Sequence, residues 1–345
     1  MMLKRLLQLT LVMTFCVILL GAYTRLADAG LGCPDWPGCY GQLDVPSSQA
    51  ELAKANLLYP DLVVEADKAW LEMIHRYFAG SLGLLVFAIT ALALKQKQFG
   101  KLLPLSVSFV VVFQALLGMW TVTMKLMPVV VMGHLLGGFT LFSLLALLYW
   151  RVSHANQNSL LNRASVGLRT LAFIAFAALT LQIALGGWTS SNYAALMCTE
   201  LPICQGNWQG YLDFETAFRL IQPERDSYEF GTLDYGARMT IHVSHRVGAI
   251  ITSGIFLLLI VQLWRQNQAR YRRQSISLTL LLVTQIGLGI SNVSFGLPLA
   301  VAVAHNLVAA LLLINTLYVN HLLWLSVAES RSYASSTLGK EAYYE

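Results

Sequence analysis

Eight stretches of predominantly apolar residues divide this chain, and each is too long for an ordinary soluble fold to bury. They run approximately from 6 to 26, 70 to 94, 102 to 124, 128 to 150, 168 to 190, 239 to 264, 275 to 296 and 298 to 324. A helix of about 20 such residues, rising 1.5 Å per residue, crosses the ~30 Å hydrocarbon layer of a bilayer. Of the 345 residues, 56% are hydrophobic and 12% charged, against about 25% charged in soluble domains. That leaves too little polar surface for a water-soluble globule and excludes disordered, collagen-like, coiled-coil and disulfide-scaffold chains. The expected class is an all-α polytopic membrane protein with eight transmembrane helices.

Orientation follows from charge. Lys4 and Arg5 before the first run, with Ala27-Asp28-Ala29 after it, have the look of a cleavable signal. Leu6 to Tyr23 is longer than a secretory apolar region of about 7 to 15 residues, however, and the segment has counterparts downstream. With the N-terminus inside, Lys95, Lys97, Lys101, Arg151, Arg163, Arg169, Arg265, Arg270, Arg272, Arg273, Arg331 and Lys340 all fall on the cytoplasmic side, as the positive-inside rule requires. The net charge of +5 is therefore spread between spans and does not point to nucleic acid. Two long acidic loops, about 27 to 69 and 191 to 238, face outward. Each holds a cysteine pair, Cys33 with Cys39 and Cys198 with Cys204, in a compartment that favours disulfides over free thiols or a metal site. Cys16 falls mid-membrane, as a small packing residue. The tail from Ser330 to Glu345 is expected without structure.

An internal duplication shapes the functional reading. Gly21-Ala-Tyr-Thr24 ahead of the first cysteine pair matches Gly187-Trp-Thr189 ahead of the second. His75-Arg76 matches His245-Arg246, Gln114-x-x-x-Gly118 matches Gln285-x-x-x-Gly289, and His134 after Pro128 matches His305 after Pro298. Each unit has an even number of spans, so the halves share one orientation about an axis along the membrane normal. The expected division is a four-helix half over 1–151, an inner linker over 152–166, a second four-helix half over 167–326 and a tail over 327–345.

His75, His134, His245 and His305 each fall about five to seven residues into a segment running inward, or roughly 8 to 10 Å below the outer boundary. A single intramembrane histidine often does no more than bond a neighbouring helix. Four at one depth, two per half, point to a shared task. Zinc would recruit thiolate or carboxylate ligands as well; opposed imidazoles alone suit axial ligation of heme iron, one site per half. Arg76 and Arg246 are placed either to neutralise heme propionates or to snorkel toward lipid headgroups. His154, in an inner loop, and His321, near an inner end, carry little weight.

The halves differ at one position. Glu72 precedes His75 by three residues, on the same helix face, whereas the corresponding residue before His245 is His242. Glu72 is either an interfacial charge at the positive end of its helix or a carboxylate beside one iron site only. Unequal pockets suggest one that reacts and one that relays electrons.

The run Gly30-Leu-Gly-Cys-Pro-Asp-Trp-Pro-Gly-Cys39, with Glu72-Met-Ile-His-Arg76, Gly133-His134 and Ser244-His-Arg246, resembles the heme A synthase family over essentially the whole chain. That resemblance implies two pseudosymmetric four-helix bundles and oxidation of the C8 methyl of heme O, in two steps, to the formyl group of heme A. It implies a heme b cofactor held by His245 and His305, a substrate pocket with His75 and His134, and Glu72 as the essential acidic residue. It also implies disulfides Cys33–Cys39 and Cys198–Cys204, His245 rather than His242 as ligand, and heme O synthase and cytochrome oxidase assembly as partners, with self-association left open. With no transit peptide ahead of the first span, a bacterial inner membrane is expected. The rival reading is a non-catalytic di-heme electron carrier or quinone-linked anchor, which accounts for the histidines but not for Glu72 in one half. A transporter of parallel repeats would show broken mid-span helices, and the sequence has none.

Overall fold

A computed structural model describes residues 2–96, 100–154, 164–201 and 204–341, with side chains for all of these except 154 and 325–341. Lys97, Arg163, most of the 152–166 linker and residues 342–345 lie outside the described residues, as do the side chains of His154, Arg331 and Lys340. The elements are α1 (Met2–Leu26), α2 (Gln49–Leu58), α3 (Ala66–Lys95), α4 (Leu102–Thr123), α5 (Pro128–His154), α6 (Val166–Ser191), α7 (Phe214–Ala217), α8 (Tyr235–Trp264), α9 (Ala269–Ser294) and α10 (Leu299–Glu341). Eight of these, all but α2 and α7, are long and apolar enough to cross a membrane. Among the described residues the one extended pairing is a bridge between Cys39 and Gln42. The chain is an all-α, multi-pass membrane protein.

Four helices begin four or more residues earlier than their apolar runs, α1 among them at Met2. α3 and α8 start at Ala66 and Tyr235 and α9 at Ala269, because a helix needs no apolar residues once it has left the hydrocarbon layer. The Asp234 side chain closes the start of α8, accepting from the Ala237 N–H at 2.8 Å. His75 is consequently the tenth residue of α3 and His245 the eleventh of α8, deeper along their helices than the sequence suggested, while His134 and His305 are each seventh in theirs. α10 continues through Glu341, so the segment from Ser330 to that point is helical rather than structureless. Propagating an existing helix adds a hydrogen bond per residue without a new nucleation step.

In the first half α1 packs on α3 and α5, and α4 packs on α3 and α5; in the second, α6 packs on α8 and α10, and α9 on α8 and α10. The halves meet through α5 with α6, α1 with α10, and α5 with α10. Exchanging α1 with α6 and α5 with α10 leaves this set unchanged, consistent with a pseudo-two-fold axis along the membrane normal. α3 and α5 thus stand at diagonal corners of one bundle, and α8 and α10 at diagonal corners of the other.

Each bundle is sealed toward the end away from its long loop. Leu7, Val86, Ile89, Ala93, Val107, Leu145 and Leu148 fill the first, and Ala172, Ala175, Phe256, Leu259, Leu278 and Leu312 fill the second. Toward the other end, called the outer end for its long loop, each is capped by that loop, through Cys33, Cys39, Tyr40, Ala69 and Met73 in one half and Trp188, Ala194, Ala217, Ala237 and Ile241 in the other. The histidines lie between seal and cap. Many hydroxyls within the spans are satisfied by carbonyls one turn back, as with Thr14 on Thr10 and Thr316 on Leu312, both at 2.7 Å. Such pairing is what the hydrocarbon layer demands.

Candidate functional site

Each of the four imidazoles packs against a glycine of a neighbouring helix. A Cβ placed on Gly21 would lie 2.8 Å from His75 Cε1, one on Gly186 3.1 Å from His245, one on Gly289 3.2 Å from His305, and one on Gly118 3.5 Å from His134. Every one of these glycines stands five residues before the end of its helix, at Leu26, Thr123, Ser191 and Ser294. The rings therefore share a layer roughly 8 Å inside the outer ends of α1, α4, α6 and α9. This also sets the register of the repeat: Gly21-Ala-Tyr-Thr24 corresponds to Gly186-Gly-Trp-Thr189, one residue earlier than the sequence alignment through Gly187. His75 lies within electrostatic reach of His134, and His245 of His305. All four are surrounded by helices and half-buried.

A methyl group at 2.8 Å from a ring carbon is closer than packed side chains tolerate. Gly21→Ala is expected to push His75 aside and weaken heme retention in the first half by the ~1–3 kcal/mol of an overpacked core. Gly118→Ala, at ordinary contact distance, should change little. Heme content per half, read from the absorbance of purified protein, checks both; equal behaviour of the two variants would refute the packing argument.

Glu72 is 5% exposed and held on both oxygens. The Cys33 N–H donates to Oε2 at 2.9 Å, and Arg76 Nη2 donates to Oε1 at 2.5 Å. Arg76 Nη1 reaches over to the carbonyls of Asp35 at 2.9 Å and Gly38 at 2.5 Å, inside the ring closed by the Cys33–Cys39 disulfide. The first cysteine loop is thus a clamp on the carboxylate. In the second half Arg246 Nη2 donates to the Cys198 carbonyl at 2.5 Å and Nη1 to that of Glu200 at 2.9 Å, beside the Cys198–Cys204 disulfide. Both guanidinium groups, read from sequence as propionate contacts or snorkelling cations, are engaged in holding the outer loops.

His242, in the place corresponding to Glu72, is 5% exposed, with Nδ1 2.9 Å from the Ala194 carbonyl. It lies against the loop backbone, whereas His245 lies against Gly186. Two features went unread in the sequence: the clamp, since nothing local ties Cys33 N–H to Glu72, and Gln182, which stands four residues before Gly186 as Gln114 and Gln285 do before their glycines. The second was visible as a recurring Gln-x-x-x-Gly, hidden by the one-residue misregister.

Among the described residues no group of three or more His, Cys, Asp or Glu could hold a bare metal ion. Each bundle offers two imidazole nitrogens from diagonal helices, above an apolar seal and below a loop cap. That donor number and setting fit a planar macrocycle with two axial ligands.

Fold and site together define a class: a polytopic membrane protein of two four-helix units, each with a bis-imidazole layer near its outer end. Within that class, a family model described as cytochrome oxidase assembly protein (COX15-CtaA) matches residues 4–317, and the chain belongs to this family. It is 55% identical over 328 residues to a heme A synthase of Shewanella oneidensis strain MR-1, covering 94% of this chain and 97% of that protein. Heme A synthases of Granulibacter bethesdensis and Shouchella clausii are 25% and 26% identical, covering 92% and 90% of this chain and 87% and 93% of their own lengths.

Proposed function

We propose that this protein is a heme A synthase, oxidising the C8 methyl of heme O through a hydroxymethyl to the formyl group of heme A for cytochrome oxidase assembly. The observation that carries the reading is the inequality of two otherwise matching layers: opposed imidazoles in each, with a loop-clamped carboxylate beside the first alone. Identity with the Shewanella oneidensis protein over nearly its whole length supports it. A di-heme electron carrier would leave the clamped Glu72 without a task.

On this reading residues 1–151 form the substrate half, where His75 and His134 would hold heme O. Residues 167–326 form the cofactor half, where His245 and His305 hold heme b. When bound, heme b supplies one-electron redox chemistry to the reaction. Glu72 accepts or returns protons at the carbon under attack and stabilises positive charge developing there; the sealed core and the loop cap exclude bulk water, which strengthens that effect. Arg76 and the Cys33 N–H keep both carboxylate oxygens in place throughout. Both termini lie inside, the long loops lie in the periplasm of a bacterial inner membrane, and heme O arrives from heme O synthase.

Extraction and mass analysis of heme from membranes supplied with heme O tests the assignment. Formylated and hydroxymethylated heme is expected; heme b alone at both sites would replace the synthase reading with the carrier.

A further inference from the structure

Three of the four imidazoles share a neighbour that the ligand assignment leaves unused. Gln114, Gln182 and Gln285 each stand one helical turn inward of the glycine that packs on a histidine, on the same helix face. Gln114 Nε2 donates to the main-chain oxygen of His134 at 3.1 Å. Gln182 Nε2 donates to that of His245 at 2.9 Å and lies 3.0 Å from its Nδ1, and Gln285 Nε2 lies 3.2 Å from His305 Nε2. In all three glutamines Oε1 is buried without a hydrogen bond, and so is Nδ1 of His134 and of His305. Buried polar atoms rarely stay unpaired, so adjacent unpaired groups on touching residues call for an explanation.

The fourth position breaks the pattern. Val17 stands one turn inward of Gly21. His75 Nδ1 makes no well-formed hydrogen bond; the Val17 main-chain carbonyl of α1 lies near its ring, and no side-chain amide stands at this position.

We infer that Gln182 and Gln285 are positioning residues for both imidazoles of the resident heme, that Gln114 does the same for His134, and that Val17 leaves His75 as the ligand able to let go. This rests on the heme reading of the site. An imidazole bound to iron through Nε2 carries its proton on Nδ1 and needs an acceptor there. A turn of each glutamine amide, with a flip of the His305 ring, brings Oε1 to that proton. The bond fixes the ring plane and makes the ring a stronger donor. The distribution matches the work of the halves: a retained cofactor has two supported ligands, and a substrate that enters and leaves has one.

The test uses the full-length, heme-loaded protein carrying Gln182→Leu, Gln285→Leu, or the corresponding Glu substitutions. The Leu variants are expected to pass the resident heme to apomyoglobin about 10- to 100-fold faster and to raise its midpoint potential. The Glu variants, which keep an acceptor, should retain the heme and lower the potential. Val17→Gln should slow release of heme from the first half. Unchanged loss rate and potential in folded Leu variants would overturn the inference, as would folded Glu variants at the unmodified potential. Unaltered release in Val17→Gln would overturn the part assigned to His75. Unmodified protein with no Soret band would instead overturn the heme reading itself.

Discussion

Conversion of heme O to heme A is expected to fall by about 10²- to 10⁴-fold in a Glu72→Gln variant, the range general acid–base catalysis supplies, with the heme content of the protein little changed. Gln preserves the side chain's volume and one acceptor oxygen. Arg76 also keeps its bonds to the carbonyls of Asp35 and Gly38, so the first loop remains anchored when the ion pair is lost. Glu72→Ala removes the acceptor as well and leaves the guanidinium facing a buried space. There the loss of a buried partner, worth ~3–5 kcal/mol, should appear as lower stability in addition to the catalytic defect. Quantifying formyl heme by mass after a fixed incubation separates the two effects. Full conversion by Glu72→Gln at normal heme content would remove Glu72 from the chemistry and leave it as an anchor for the cysteine loop.

The second large effect is expected at the other layer. On the proposed assignment, His245→Ala or His305→Ala should abolish stable binding of the resident heme, since each removes one of the two residues that would hold it, and should stop turnover with it. His75→Ala should leave the resident heme in place and impair only the half that contains Glu72. The physical reason is the pairing within each layer: His75 lies within electrostatic reach of His134 and His245 of His305, and each bundle has its own apolar cluster, the second reaching across to Phe139 of α5. Optical spectra and heme-to-protein ratios of the four single histidine variants provide the check. Loss of the same heme from His75→Ala and His245→Ala alike would contradict one site per half.

Much of this architecture is legible without coordinates, because the hydrocarbon layer leaves a chain so few choices. Spans announce themselves through apolar length, and the duplication through His-Arg and Gln-x-x-x-Gly recurring at matched places. Helix ends are less legible: α3, α8 and α9 extend into water, where apolar length no longer reports on helicity. The roles of Arg76 and Arg246 were legible only as alternatives, since a cation beside a candidate ligand fits a propionate, a headgroup or a loop carbonyl equally well.

What the amino-acid order determined by itself is the eight-helix membrane class; it also proposed a two-unit plan, four candidate histidines and the single carboxylate that sets the halves apart. These are properties of composition and period, which a one-dimensional string carries. Only the tertiary structure decided which glycine each imidazole rests on, that the repeat aligns through Gly186, that Cys33 and Arg76 clamp Glu72, and that His242 turns to a loop carbonyl while His245 stays in the layer. Apart from the Glu72–Arg76 pair, one helical turn apart, those depend on groups from different helices and loops meeting at distances near 3 Å, and no local pattern specifies such a meeting.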